Sequence, residues 1–361
     1  MKTQERNLGV DLLRIICMLA MVIQHLLGHG WIMNLLNATS WKYELLKALQ
    51  YFCLFGISCF ALISGYVGVK GKYRYSALAL QWAKVWLYSV AFTALAAVCM
   101  PGSVGTAEIR RAFLPTLGSQ YWYFTAYAGS FMLVPFVRMA MLRMNRRQAS
   151  VCTGMLIAVF SLSSCILGGD PFYTDAGKGT LWLVVLYAVG AYIKLHEPLK
   201  NVPTWGLAVL AGAAALLLAG FDPVLDRIYL FFTGSKAPFV HFPHNDSPNT
   251  LLLAVAMLLL FSRLRITHGR KWVSLLGGAS FGVYLIHDHP LLRQMTISKY
   301  AYHLAGLSTG MIVPGVLLAA AGVYLVCAAI DIAREKLFVW LKLRQRFAAL
   351  EKRLVGTLWE D

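Results

Sequence analysis

The residues most able to do chemistry sit where apolar side chains are expected. The stretch from Asn7 to Gly30, NLGVDLLRIICMLAMVIQHLLGHG, is helical in pattern yet carries Asp11, Arg14, Gln24 and His25. Ionisable groups inside an apolar helix are costly, so they normally face a bundle interior or a watery path. Arg14 and His25 are eleven residues apart. Three helical turns take about 10.8 residues, so the two side chains leave nearly the same face, roughly 16 Å apart along the axis. Asp11, Arg14, Met18, Met21 and His25 form one stripe joining a cation near one end to an imidazole near the other. A histidine is the side chain best matched to removing a proton from a hydroxyl at neutral pH. A guanidinium suits an anionic donor or a developing oxyanion.

The elements that must position this stripe follow from composition. The chain has 361 residues, 58% of them hydrophobic and 14% charged, with a mean hydropathy of +0.61. That is too apolar for an ordinary soluble domain and predicts an all-α polytopic membrane protein. The net charge of +17 does not argue for nucleic acid, because the Lys and Arg residues lie in short loops between apolar runs, where they set topology and meet anionic lipid. Seven cysteines sit in or beside apolar runs without CxxC spacing, as small core residues do, and neither a disulfide framework nor a metal is expected. The first apolar run holds Asp11 and Arg14 and lacks an A-x-A cleavage pattern, so it reads as a retained span rather than a signal peptide.

Apolar runs fall at about residues 8–27, 49–69, 76–99, 121–142, 151–167, 180–193, 204–221, 249–261, 272–292 and 311–332, a bundle of about ten transmembrane helices. With a cytoplasmic amino terminus, 22 Lys and Arg fall inside and nine outside, while Arg14 and Lys84 lie within spans. Both termini are therefore expected to be cytoplasmic, and the protein to sit in the cytoplasmic membrane. The runs at 180–193 and 249–261 are short and need flanking residues or a thinned bilayer. The connection 222–248 has an apolar middle that could re-enter the membrane. Residues 1–332 read as one integral membrane domain, and 333–361 as a cytoplasmic amphipathic basic tail lying on the inner leaflet.

This topology lets depths be compared. Ser64 and Gly65, in FALISGYVG, lie at the depth of Arg14; His287, in ASFGVYLIHDHP, lies at the height of His25 with Asp288 beside it. Ser280, Tyr284 and His287 share a helix face, and Pro290 helps to end that helix. Trp122 and Tyr123 open the fourth span. Lys70, Lys72 and Arg74 follow the second span on the inner side, where a phosphate would need cations.

Taken together, these pieces resemble acyltransferase family 3, the integral membrane acyltransferases that O-acylate cell-surface glycans. The resemblance rests on Arg14-x10-His25 after Gly9-Val10-Asp11, the Phe60–Tyr66 run, Trp122-Tyr123 and Ser280–His287. It implies that an acyl-CoA, usually acetyl-CoA, binds from the cytoplasm and that its acyl group passes to a hydroxyl of a glycan or lipid-linked sugar on the other face. The family's Arg-xxx-Arg pattern reads Lys70-x3-Arg74 here, which keeps the charge but loses one bidentate fork. On this reading His25 is the general base, Arg14 positions the donor or stabilises oxyanion charge, and His287 or Asp288 orients His25 or binds the acceptor. Ser64, Lys70, Lys72 and Arg74 join Arg14 on the donor, and Trp122, Tyr123 and Tyr284 meet the acceptor.

Each feature also has a duller account. Arg14 can pair with Asp11 and anchor headgroups, His25 can be a hydrated interfacial residue, and the basic loop can serve topology alone. Trp122 and Tyr123 fit an aromatic belt, and Ser64-Gly65 fits close helix packing. His241 and His244 have metal-like spacing without the rest of a ligand set. The rival from another class is a non-catalytic exporter or flippase of glycan precursors, whose Arg and His would line a permeation route. Membrane lipids are expected partners and oligomeric state is left open.

Overall fold

A computed structural model of the chain describes residues 6–38, 40–163, 170–234 and 244–356. Among them the regular structure is helical, without a strand. Helix α1 (Leu8–Leu27) begins at Asn7, whose side chain accepts a hydrogen bond from the Val10 amide, and ends at Gly28. It packs against α3 (Phe55–Gly68), α10 (Pro248–Ser262), α11 (Arg270–His287) and α14 (Thr309–Trp340). This central seat explains why Val10, Leu13, Cys17, Met18, Met21, Val22 and Leu27 are all buried.

The remaining helices surround that core. They are α2 (Trp41–Phe52), α4 (Tyr75–Cys99), α5 (Thr106–Phe113), α6 (Trp122–Arg143), α7 (Arg146–Ile157), α8 (Thr180–His196), α9 (Thr204–Thr233), the short α12 (Pro290–Met295) and α13 (Ile297–Tyr300), and α15 (Leu343–Leu354). Close approaches are made at glycines. A Cβ on Gly65 would lie 2.0 Å from the Tyr187 carbonyl oxygen and one on Gly190 2.1 Å from that of Leu62, so α3 and α8 cross in backbone contact. At Gly277, α11 meets the Asp11 backbone of α1 in the same way.

Among the described residues five stretches are long and apolar enough to cross a membrane: Leu8–Leu27, Trp41–Gly68, Tyr75–Cys99, Trp122–Arg143 and Thr309–Trp340. The ten expected from sequence are thus not all of one kind. Apolar helices at Thr180–His196, Thr204–Gly220 and Pro248–Ser262 are shorter; α8 and α10 are sheathed by neighbours, and most of their residues are buried. The expected second span is broken at Cys53–Leu54 between α2 and α3, and the ninth ends at His287, with Pro290 opening α12. In the fifth, α7 is followed by a π-helical turn, Ala158–Leu162; its end at 164–169, like the middle of the 222–248 connection at 235–243 and with it His241, lies outside the described residues. Helix α9 runs on to Thr233, absorbing the start of that connection, and α14 continues through Ile332 to Trp340.

The bundle has two distinct ends. At one, Arg6 reaches the Ser274 carbonyl, Arg138 donates to Val69, Arg263 donates to Leu199 and the Tyr75 amide donates to Glu351; this is the basic end. At the other, His25 meets His287, Ser58 donates to the Asn245 carbonyl and Lys42 to that of Ala305; this is the histidine end.

Candidate active site

At the basic end Asp11 is fully buried, and its carboxylate accepts hydrogen bonds from Arg6 and from Arg14, whose Nη1 lies 2.6 Å from Oδ1. The pairing anticipated as a structural role for Arg14 is therefore present, and it fixes the guanidinium rather than removing it from the interior. Arg14 lines two cavities. One, of about 230 Å³, lies among α3, α6, α8 and the α3–α4 loop, with Lys72, Arg74 and Arg138 in its wall. The other, of about 290 Å³, extends towards Gln81 of α4 and Gly278 and Ser280 of α11. Both are bounded by Arg14, Ser64, Tyr123 and Tyr127. The Ser64 hydroxyl donates to the Phe60 carbonyl at 3.0 Å, a bond within its own helix, while Gly65 supplies the close approach to α8. Lys70 is exposed and lines neither cavity.

At the histidine end the hydrogen-bond pattern settles the tautomers. His287 Nδ1 lies 2.6 Å from the Val283 carbonyl oxygen. A carbonyl only accepts, so that nitrogen carries the proton, and in the neutral imidazole His287 Nε2 is bare. His25 Nδ1, 3.0 Å from His287 Nε2, must then be the donor, which leaves the lone pair of His25 on Nε2. Asp288 reinforces the arrangement, with Oδ1 3.5 Å from His25 Nδ1 and 2.6 Å from Arg293 Nη1. His25, equally, is not a loosely hydrated interfacial residue: its side chain is 18% exposed.

Between the two ends stand aromatic rings. Tyr123, which bounds both cavities, is 6.0 Å from Tyr284 between ring centroids; Tyr284 is 6.5 Å from His287, and His287 5.0 Å from His25. Tyr123 and Tyr284 are buried, whereas Trp122 is partly exposed and packs edge-on against Tyr123. His25 lines neither of the cavities that hold Arg14. The stripe is thus one helix face, as its spacing predicts, with an aromatic plug between its two chemical groups.

His29, one turn beyond His25, has its ring 5.2 Å from the His25 ring. Ligand atoms of His25, His29 and Asp288 lie within 4.8 Å of one another, the reach of a divalent cation. Arg293 holds Oδ1 of Asp288, and His25 Nδ1 donates to His287, so a cation there would share these side chains with contacts already made. Burial and the nearby Arg293 hold the His29 imidazole below its ordinary pKa. Among the described polar groups, the Tyr187 hydroxyl is buried without a hydrogen-bond partner in the wall of the smaller cavity. That unmet group suits a polar ligand.

A family model described as an acyltransferase domain, that of acyltransferase family 3, matches residues 7–332. The chain belongs to this family. No curated protein and no solved structure matches it. As a member of acyltransferase family 3 built of apolar helices, it is a membrane acyltransferase.

Several groups in this acyltransferase escaped the reading of its sequence. Arg293, His29, Arg138 and Tyr127 join the site through loop and helix geometry that spacing alone does not reveal. Another group left a signal. Lys84 and Asp331, single charges in two apolar runs, meet at 3.1 Å, with Tyr88 2.9 Å and Arg334 2.7 Å from the same carboxylate. Opposite charges isolated in separate spans are expected to find each other. His289 is fully buried, accepts from the Leu292 amide and contacts Gln120, tying the start of α6 to the end of α11.

Proposed function

We propose that the protein is an O-acyltransferase of the cytoplasmic membrane that moves an acyl group, acetyl in the simplest case, from cytoplasmic acyl-CoA to a hydroxyl of an extracytoplasmic glycan or lipid-linked sugar. The observation that carries this reading is the relay Val283 carbonyl, His287, His25, which leaves His25 Nε2 as an unprotonated base. With both termini cytoplasmic, the basic end faces the supply of CoA and the histidine end faces the acceptor. Arg14 then holds the thioester arm. Its separation from His25, roughly 16 Å along the helix, makes it a donor-positioning group rather than the stabiliser of an oxyanion at His25.

In the transfer step His25 Nε2 takes the acceptor hydroxyl proton as the oxygen attacks the thioester carbonyl. The new C–O bond forms, the C–S bond breaks, and the departing thiolate receives the proton from the His25 imidazolium. Asp288, fixed by Arg293, faces the Nδ1 proton and favours the imidazolium while it exists. Lys72 and Arg74 supply positive charge near the donor. Trp122, Tyr123 and Tyr284 form the passage towards the acceptor, and the Tyr123–Tyr284 contact must open for the acyl group to reach His25.

The test is release of free CoA from acetyl-CoA by membranes containing the protein, with acceptor added. Release that depends on acceptor and disappears in His25→Ala, with normal insertion, supports the reading. Acceptor movement across the membrane without thioester cleavage would identify a carrier instead.

A further inference from the structure

A third cavity opens at the basic end, between α4, α11 and α14. At about 820 Å³ it falls within the roughly 300–1,000 Å³ usual for small-molecule sites, whereas the 230 Å³ space beside Lys72 and Arg74 does not. Six cations line it, Arg6, Lys84, Lys271, Arg334, Lys336 and Arg344, against the acids Asp331 and Glu335. Arg6 is spent on Asp11, and Lys84 and Arg334 on Asp331, with Arg334 also on Glu335. Among the described residues Lys271, Lys336 and Arg344 have no ion pair, and all three are exposed to the cavity. The floor is the buried Lys84–Asp331–Arg334 network, which cannot shift towards α11 because Gly282 already lies against the Asp331 carboxylate.

This vestibule also leads somewhere. Gln81 and Gly278 line both it and the 290 Å³ cavity that holds Arg14. A ligand with a phosphate-rich head in the vestibule and a thin arm passing Gln81 and Gly278 would reach Arg14 directly.

We propose that the vestibule is the seat of the phosphorylated nucleotide of the acyl donor, with Lys271, Lys336 and Arg344 holding its diphosphate and 3′-phosphate. The inference rests on the reading of the protein as an acyl-CoA enzyme and relocates the phosphate contacts away from the Lys70–Arg74 loop. Phosphate recognition by Arg and Lys is charge-assisted and strong. A headgroup of an anionic lipid has the same chemistry, but needs no passage to Arg14.

The experiment uses the full-length protein in phosphatidylcholine nanodiscs. It compares wild type, the triple variant K271Q/K336Q/R344Q and the double variant K72Q/R74Q for binding of adenosine 3′,5′-bisphosphate and for kcat and KM with acetyl-CoA. The substituted side chains of the triple variant are exposed, and unchanged thermal melting checks its folding. The expected result is that the triple variant raises the Kd for the bisphosphate and the KM for acetyl-CoA about tenfold or more with kcat little altered, and more than the double variant does. If wild-type kinetics survive in the triple variant while the double variant raises KM, the vestibule is not the nucleotide site although the enzyme still uses acyl-CoA. If the bisphosphate does not bind but phosphatidylglycerol saturates the same three cations, the vestibule is a lipid site. If wild type neither binds nor cleaves acetyl-CoA, the functional reading itself fails.

Discussion

As the proposed general base, His25 needs a bare Nε2, and three neighbours favour it: Val283 orients His287, His287 accepts from His25 Nδ1, and Asp288 faces the same nitrogen. Replacing His25 by Gln should lower kcat by about 10²- to 10⁴-fold, the usual worth of a general base, with insertion and melting unchanged; wild-type turnover in that variant would remove His25 from the chemistry. His29 offers a pH test. Its pKa is lowered, first by burial and then by Arg293, so it is neutral at neutral pH and gains a proton only below the ordinary value of about 6.5. Protonation there places a cation beside His25 and opposes formation of the imidazolium. The activity of His29→Gln should therefore match wild type at neutral pH and exceed it only on the acid limb of the kcat/KM profile, as an assay across that limb would record. Much of this site was legible because helical period and equal depth are written in the chain: Arg14 with His25 by spacing, His287 and Asp288 with His25 by height. Arg293 and His29 were not, since they arrive from segments past the helix ends, whose course no periodicity encodes.

Helices hold these groups in register through a few contacts that tolerate no added atom. Gly65→Ala would drive a methyl into the Tyr187 carbonyl, because the crossing of α3 and α8 leaves only 2.0 Å. It should cost about 1–3 kcal/mol, read as a lower melting temperature in detergent, whereas Gly212→Ala in α9, with no atom within 4 Å of the new Cβ, should leave melting unchanged or raise it. Asp331 is the common acceptor of Lys84, Tyr88 and Arg334. Asp331→Ala strands two buried cations and should destabilise by about 3–5 kcal/mol; a melting curve like that of wild type would show the network to be dispensable. Apolar runs mark the helices in the sequence, and most of the expected spans coincide with one. The short runs of α8 and α10 are helices that neighbours cover; Cys53–Leu54 interrupts a run whose hydropathy is continuous, whereas the break at Asp288–His289 is marked in the sequence by its polar residues and Pro290. That Lys84 and Asp331 would meet could have been inferred from their isolation; that Arg334 would join them depends on α14 continuing past Ile332.

Across the whole molecule, charge and chemistry are segregated. Cations surround the cavities that reach Arg14 at one end, His25 and its partners occupy the other, and Tyr123 and Tyr284 stand between them. Such an arrangement suits the proposed reaction, in which donor and acceptor lie on opposite sides of the Tyr123–Tyr284 contact. The most direct test is sided transfer in sealed membrane vesicles with the cytoplasmic face outward, supplied externally with acetyl-CoA labelled in the acetyl group. The account predicts label on acceptor hydroxyls inside the vesicles, with transfer abolished by Arg14→Ala and by His25→Ala. Label appearing only on acceptors outside, or persisting inside at wild-type levels in either variant, would contradict it.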